Sequence, residues 1–366
     1  MRRRLFLSFA FTALAAAMFL QSAPTGRTQN PNDPTDELIE TADGVKLRGI
    51  FYKATNSKNG SCVMLIHEPF TDPTKGDWDG LARTLAKKGY HTIRFDFRGH
   101  GKSKDIIPEK FWREQLNTTL PGANRRPPRD TIDEKDFKSK SSYYPQMVYD
   151  LAAVRNHLDK MNDDGQVNTS STYLIGDGDA ATLGMLFLAT EWHREQKKPM
   201  GFLNAQKFWV TANQAIAAGN SPAGRDYGGA VWLSPKTMKG FSTSAMKNWV
   251  STHGRGIDGD MRKETPMLFV YGEKDSEGQR NSKYFNDQIM VSAGRGKLEK
   301  LDSTYIRERK GTDLKGVGLL GKDDTLGTEK LIVEFLDKME EFRRKKVRIT
   351  REYTEPLKIN IASFGN

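Results

Sequence analysis

Residues 171–182, Ser-Thr-Tyr-Leu-Ile-Gly-Asp-Gly-Asp-Ala-Ala-Thr, run from an apolar strand through a Gly/Asp turn straight into a helix. A strand-to-helix turn this tight can hold up a nucleophile on strained backbone, and it needs small residues two positions to either side because nothing larger fits. Gly176 and Ala180 supply those small positions, which puts the nucleophile slot on Gly178. A register centred on Asp177 would place Ile175 and Asp179 in the small positions, and one centred on Asp179 would place Asp177 and Ala181 there. Each alternative includes a residue that is too large. Glycine takes the strained turn at little steric cost but has no side chain with which to attack. The stretch has the shape for nucleophilic catalysis and lacks the group that performs it.

The elements that must position this turn are legible from their periods. Residues 61–67 (SCVMLIH) and 90–97 read as strands, the first a nearly continuous apolar run of the kind buried on both faces. Residues 229–233 and 267–271 read as two more buried strands, and 298–305 as a weaker one. Residues 37–41 and 45–52 alternate around Ala42-Asp43-Gly44, which predicts a hairpin with glycine at the turn. Apolar spacing predicts helices over 78–88, 147–161, 180–192, near 244–250 and over 328–342. The turn at 162–165 looks superficially like a calcium loop, but the first ligand position would fall on Lys160, so it reads as a helix-ending turn. Alternating strands and helices imply a doubly wound, mostly parallel α/β sheet with helices on both faces.

At 366 residues the chain suits one large domain. Arg2, Arg3 and Arg4 precede an apolar run over residues 5–20, which reads as an export leader over 1–23. The run is short for a span, which needs ~20 residues. Export by the general secretory route or, from the Arg3-Arg4-Leu5 start, by a twin-arginine route is expected, giving a periplasmic or extracellular protein. Residues 24–35 read as a linker, 36–346 as the domain with irregular insertions at about 106–144 and 197–226, and 347–366 as a C-terminal tail. The single cysteine, Cys62, excludes an internal disulfide and falls in a buried strand. The net charge of +11 is scattered among acidic residues, so no nucleic-acid partner is expected. The basic run Arg343, Arg344, Lys345 and Lys346, with Arg348 just beyond, reads as dipole-favoured, solvated charge, with weak polyanion or cell-envelope contact as its alternative use.

The order of motifs resembles the α/β-hydrolase superfamily, especially its serine-aminopeptidase and dienelactone-hydrolase-like branches, over about residues 36–342. Leu65-Ile-His67-Glu68 is similar to the oxyanion loop, and Phe95-Asp-Phe-Arg-Gly-His-Gly-Lys-Ser103 to the loop after the fourth strand. Residues 173–181 fit the elbow, 266–275 the strand that delivers the acid, and Lys315-Gly-Val-Gly-Leu-Leu320 the place of the family's His-Gly-x-x-Leu-Leu. The resemblance implies that the acid survives as Asp275, that the nucleophile is replaced by Gly178 and that the general base is replaced by Lys315. In the family the histidine follows the acid. The last histidine of this sequence is His253, which precedes Asp275. A serine hydroxyl needs an adjacent base to attack at neutral pH, so both losses point the same way. His67 and His100 are expected to brace backbone, and His91, His157 and His193 to be surface or helix-face residues.

The sequence thus predicts an exported hydrolase-like protein without hydrolytic activity, acting as a binding or scaffold domain for a small ligand or a protein, and no cofactor is expected. The competing reading is an active esterase- or peptidase-like hydrolase with a non-standard nucleophile or metal-activated water. Glu68, Asp177, Asp179 and Asp275 lie on segments that the fold brings to the carboxyl edge of the sheet, where ligands of open α/β sheets bind. They form a candidate site for a cation, either a hard metal ion or the amine of a ligand.

Overall fold

The computed structural model describes residues 33–56, 60–139, 141–193, 209–210, 223–239, 241–253, 259–290, 305–321, 323–343, 347–351 and 358–359. The expected leader and nearly all of the second insertion lie outside these residues. Among the described residues no helix is long and apolar enough to cross a membrane.

β1 (Thr35–Glu40) and β2 (Lys46–Tyr52) form the expected hairpin, with Gly44 at a φ of 84° in its turn. β3 (Ser61–Ile66), β4 (His91–Phe95) and β5 (Asn168–Asp177) follow. β6 (Trp209–Val210) pairs only with β10 (Lys358–Ile359), in a small ladder of its own. β7 (Tyr227–Leu233), β8 (Met267–Gly272) and β9 (Ile306–Arg309) complete an eight-stranded sheet in the order β1-β2-β4-β3-β5-β7-β8-β9. β2 is antiparallel to both of its neighbours, and every pairing from β4 to β9 is parallel. The weaker strand expected at 298–305 is a correction: the strand is β9, from residue 306, and 298–304 lie outside the described residues.

Parallel strands buried on both faces need a helical layer on each. Alternate residues deliver it: Met64, Leu174 and Trp232 point into one core, and Val63, Ile175 and Val231 into the other. The first core is closed by α3 (Val148–Asp163), α4 (Ala180–His193) and α5 (Thr243–His253), the second by α1 (Trp78–Lys87) and α8 (Thr328–Arg343). α4 presses directly on β7, because a Cβ at Gly184 would stand 2.2 Å from the Trp232 ring. A mid-helix glycine costs about 1 kcal/mol relative to alanine, and here that cost admits the indole.

Among the described residues three shorter α-helices remain. α2 (Pro108–Phe111) lies in the first insertion, and α6 (Met261–Glu264) precedes β8. α7 (Ser276–Tyr284), which the sequence did not announce, starts directly after Asp275. The rest of the first insertion consists of turns and short 3-10 segments, tied to the body by a buried guanidinium. Arg98 reaches Asp43 of the hairpin at 2.8 Å, Asp150 of α3 at 2.7 Å and the Tyr143 hydroxyl at 3.1 Å. Within the Phe95–Ser103 motif, Arg98 is therefore a structural tie. The turn after α3 ends the helix as expected, with Gly165 at a φ of 76°.

Candidate functional site

The elbow forms as its residue sizes require. β5 ends at Asp177, Gly178 turns the chain at a φ of 53°, and α4 begins at Ala180. A Cβ at Gly176 would meet the Ala180 Cβ at 3.2 Å and the Trp232 ring at 3.1 Å, so both flanking positions must be small. Gly178 is held from both sides: its amide donates to the Leu233 carbonyl at 3.0 Å, and its carbonyl accepts from the Lys236 amide at 2.9 Å.

The space above Gly178 is taken by Glu68. A Cβ placed on Gly178 would come within 2.3 Å of both Cδ and Oε1 of that side chain. Glu68 Oε1 accepts from the Lys236 ammonium at 2.7 Å and, at a longer 3.4 Å, from the amide of Asp179. In hydrolases of this fold the amide after the nucleophile helps to hold the oxyanion of the reacting substrate. Here a carboxylate of the chain itself stands at that amide, neutralised by a lysine of the chain itself. The Lys236 loop is pinned to α4, since the Thr182 hydroxyl donates to the Lys236 carbonyl at 2.9 Å.

The acid and base positions also form a pair. Asp275 ends the β8 turn and caps α7, its Oδ1 accepting from the Gly278 amide at 3.0 Å. The Lys315 ammonium stands 3.6 Å from the same oxygen. Lys315 thus faces the acid where a hydrolase of this fold would set an imidazole. Asp275 thus meets an ammonium and a helix end.

Asp177 and Asp179 flank the turn. Asp177 is 4% exposed; its Oδ2 accepts from the Val317 amide at 3.2 Å, while its Oδ1 has no hydrogen-bond partner. Burial, reinforced by the Glu68 charge, pushes its carboxyl up to about 7. The same two causes push the less buried Asp179 up to about 7. Of the four carboxylates named from sequence, Glu68, Asp177 and Asp275 line one pocket at the edge of the sheet, while Asp179 is not part of that wall. Glu68 is spent on Lys236, and among the described residues no group of three or more His, Cys, Asp or Glu is arranged to hold a metal ion.

The histidines brace the walls. His67 Nε2 accepts from the Phe97 amide at 3.1 Å while Nδ1 faces the Glu68 carbonyl at 3.0 Å, which assigns the proton to Nδ1. His100 repeats the pattern, with Nε2 accepting from the Phe70 amide at 2.8 Å and Nδ1 at the Arg98 carbonyl at 2.8 Å. Burial holds both neutral, pushing His67 down to about 3 and His100 below its usual value. His157 lies on the face of α3 opposite Glu37, and His193 at the end of α4. His91 corrects the expectation of a surface residue: it is buried in β4, and its Nδ1 accepts from the Ala54 amide at 3.2 Å.

His67, Glu68, Asp177, Gly178, Lys236, Asp275 and Lys315 line a cavity of about 400 Å³, within the range of small-molecule sites. Its wall carries five carboxylates, Glu68, Asp72, Asp177, Asp275 and Glu277, against three ammoniums, Lys75, Lys236 and Lys315. Sequence reasoning missed Ser234, Lys236 and Glu277. The signal available for the first two was their place just after a buried strand, at the edge where α/β sheets bind ligands. Ser234 also adopts a φ of 43°, one of three non-glycine residues at positive φ among those described. A second, Phe70, adjoins the Glu68 loop, and such backbone outliers gather at functional sites.

No family model matches the chain. A segment of 79 residues is 38% identical to an AB hydrolase superfamily protein of Gibberella zeae, covering 22% of this chain and 26% of that protein. The chain therefore matches about a quarter of that relative's length. Among solved structures, the Pyrococcus furiosus esterase Pf2001 is 14% identical with a TM-score of 0.46, over 84% of this chain and 92% of that one. Thermogutta terrifontis esterase 2 phosphorylated by paraoxon is 13% identical with a TM-score of 0.48, over 84% and 95%. The class is set by the coordinates themselves: with its sheet order, its elbow after β5 and its acid turn after β8, the chain has the α/β-hydrolase fold. Fold does not decide function, which belongs to the site.

Proposed function

We propose that this chain is a non-hydrolytic member of its fold class, an exported protein whose pocket at the carboxyl edge of the sheet binds a small ligand. The observation that carries the reading is the Glu68 carboxylate standing over Gly178, where a nucleophile and the oxyanion would otherwise lie. Lys315 at Asp275 is consistent with it, because an ammonium there cannot take a proton from a serine as a neutral imidazole does. Support for export is the basic start and apolar run of residues 1–23.

Purified protein incubated with a fluorophosphonate probe and with short-chain aryl esters is expected to show neither labelling nor turnover. Stoichiometric labelling of one serine, or sustained turnover, would replace this reading with a hydrolase that uses a non-standard nucleophile or metal-activated water. N-terminal sequencing of the mature protein is expected to begin near residue 24, and a retained Met1 in a membrane fraction would mean an anchor instead.

A further inference from the structure

The loop between β3 and α1 forms one wall of the pocket, through His67, Glu68, Thr71, Asp72, Lys75 and Gly76. Two histidines hold it, and they hold different parts. His67 grips the fixed end: its Nδ1–H donates to the Glu68 carbonyl at 3.0 Å, which also accepts from the Thr71 hydroxyl at 2.6 Å. His100 reaches farther along, where its Nε2 accepts from the Phe70 amide at 2.8 Å. Phe70 has a φ of 63°, a strained setting for a bulky residue, so the backbone keeps it only while the surroundings impose it. Those surroundings are the rings of Tyr144, His100 and Phe137, with centroids at 4.7, 5.4 and 6.0 Å from that of Phe70. On the first insertion, the Glu134 carboxylate stands 3.5 Å from the same His100 Nε2.

We propose that His100 is a proton-sensitive latch on this wall: neutral, it holds Phe70 in place, and protonated, it turns its new N–H to Glu134 and lets the loop beyond Glu68 swing away from the pocket. With its proton on Nδ1, facing the Arg98 carbonyl at 2.8 Å, the neutral ring has one acceptor, and the Phe70 amide uses it. A second proton removes that acceptor and sets two N–H donors against each other, which leaves the amide without a partner. Glu134 from the insertion and Asp96 from the turn after β4 favour the charged ring; the Arg98 guanidinium is taken up by Asp43 and Asp150, and the His67 ring lies 5.6 Å away on the β3 side. Burial opposes the charge and keeps His100 below its usual value while the loop is closed. The closed loop therefore binds this proton less tightly than an opened, hydrated one, and falling pH favours opening. His67 does not follow in the same range, since burial pushes it down to about 3. The latch works whatever the pocket holds, while its use in admitting a ligand rests on the binding role given above.

The test is amide hydrogen exchange, read by NMR on the full-length, ligand-free protein at pH 8 and pH 5 and expressed as protection relative to an unstructured chain. Protection of the Phe70 amide should fall by roughly threefold to ~30-fold, the upper limit being that of a histidine regaining its ordinary value of about 6.5 on opening. The Phe97 amide, bonded to His67 Nε2 at 3.1 Å, is the control and should change by less than about twofold. His100→Gln, whose side-chain oxygen accepts from the same amide at either pH, should abolish the fall. Glu134→Gln, at a partly exposed position, should at least halve it and keeps the test decisive if His100→Gln does not fold. No fall at Phe70, an equal fall at Phe97, or a fall undiminished in a folded variant would overturn the proposal. Because no ligand enters the measurement, failure to find one for the pocket and failure of the latch are separate results.

Discussion

Gly178 and Glu68 are two halves of one arrangement, and each explains the other. Glycine is needed at the elbow because the backbone there is left-handed, which costs other residues about 1–2 kcal/mol, and because the Glu68 carboxylate fills the space where a Cβ would stand. Gly178→Ser therefore should not create an esterase. It should destabilise the protein by roughly 2–5 kcal/mol, the left-handed cost plus that of overpacking. The double variant Gly178→Ser, Glu68→Ala should recover part of this loss, as a double-mutant cycle by urea unfolding would measure. Equal stabilities for wild type and Gly178→Ser would mean that the carboxylate moves aside freely. Neither Glu68 nor Lys236 declares the pair in the sequence, since 168 residues separate two charges in loops without period. Asp275, in contrast, was legible through the resemblance of residues 266–275 to the strand that delivers the acid in the α/β-hydrolase superfamily.

At the scale of elements, strands buried on both faces were the readable part, because β3, β5, β7 and β8 have almost no polar alternation to confuse them. α7 escaped because Ser-Glu-Gly-Gln-Arg-Asn-Ser-Lys-Tyr has scant apolar surface; its start is set by the Asp275 cap rather than by periodicity. The C-terminal tail is anchored at one of its described residues. Arg351 is buried, its guanidinium 2.9 Å from Asp226 and 3.0 Å from the Ser170 hydroxyl, and its amide donates to Asp163 at 2.6 Å. Arg155 shares Asp226 at 2.8 Å and pairs with Asp159 at 3.0 Å, so Arg351 completes a buried charge network. Arg343 likewise turns inward, donating to the carbonyls of Ser170 and Arg225, which corrects its reading as solvated charge. Arg348 donates to the Asn162 carbonyl at 2.6 Å, while Arg344, Lys345 and Lys346 lie outside the described residues. Arg351→Ala should cost about 2–4 kcal/mol in denaturant unfolding, since one partner of a buried ionic network is removed while Asp226 keeps Arg155. A loss under about 0.5 kcal/mol, the scale of ordinary surface substitutions, would show that the segment is not anchored.

For the whole molecule, stability should answer to pH through two opposed sets of buried groups. His67 and His100 titrate lower in the folded state than in the unfolded one, so their contribution is lost as pH falls below about 6.5. Asp177 and Asp179 are raised from 3.8 to about 7, so the folded state holds their protons more tightly. Their contribution is complete below about pH 4 and is lost as pH rises through about 7. Around Asp177 the opposing influences are Glu68, which raises it, and Lys236 with the amides of Val317 and Glu68, which lower it. Asp177→Asn should leave stability near pH 4 little changed and raise it at pH 8 by roughly 1–4 kcal/mol, the upper end being the full shift. Thermal unfolding at both values decides the matter, and a difference independent of pH would refute it. The Glu68 carboxylate over Gly178 also has a historical consequence. A serine arriving first meets an occupied seat, and a change at Glu68 arriving first strands the Lys236 ammonium with nothing gained at Gly178. Either single change at this pair therefore costs stability before anything is gained, so each of the two residues holds the other in place.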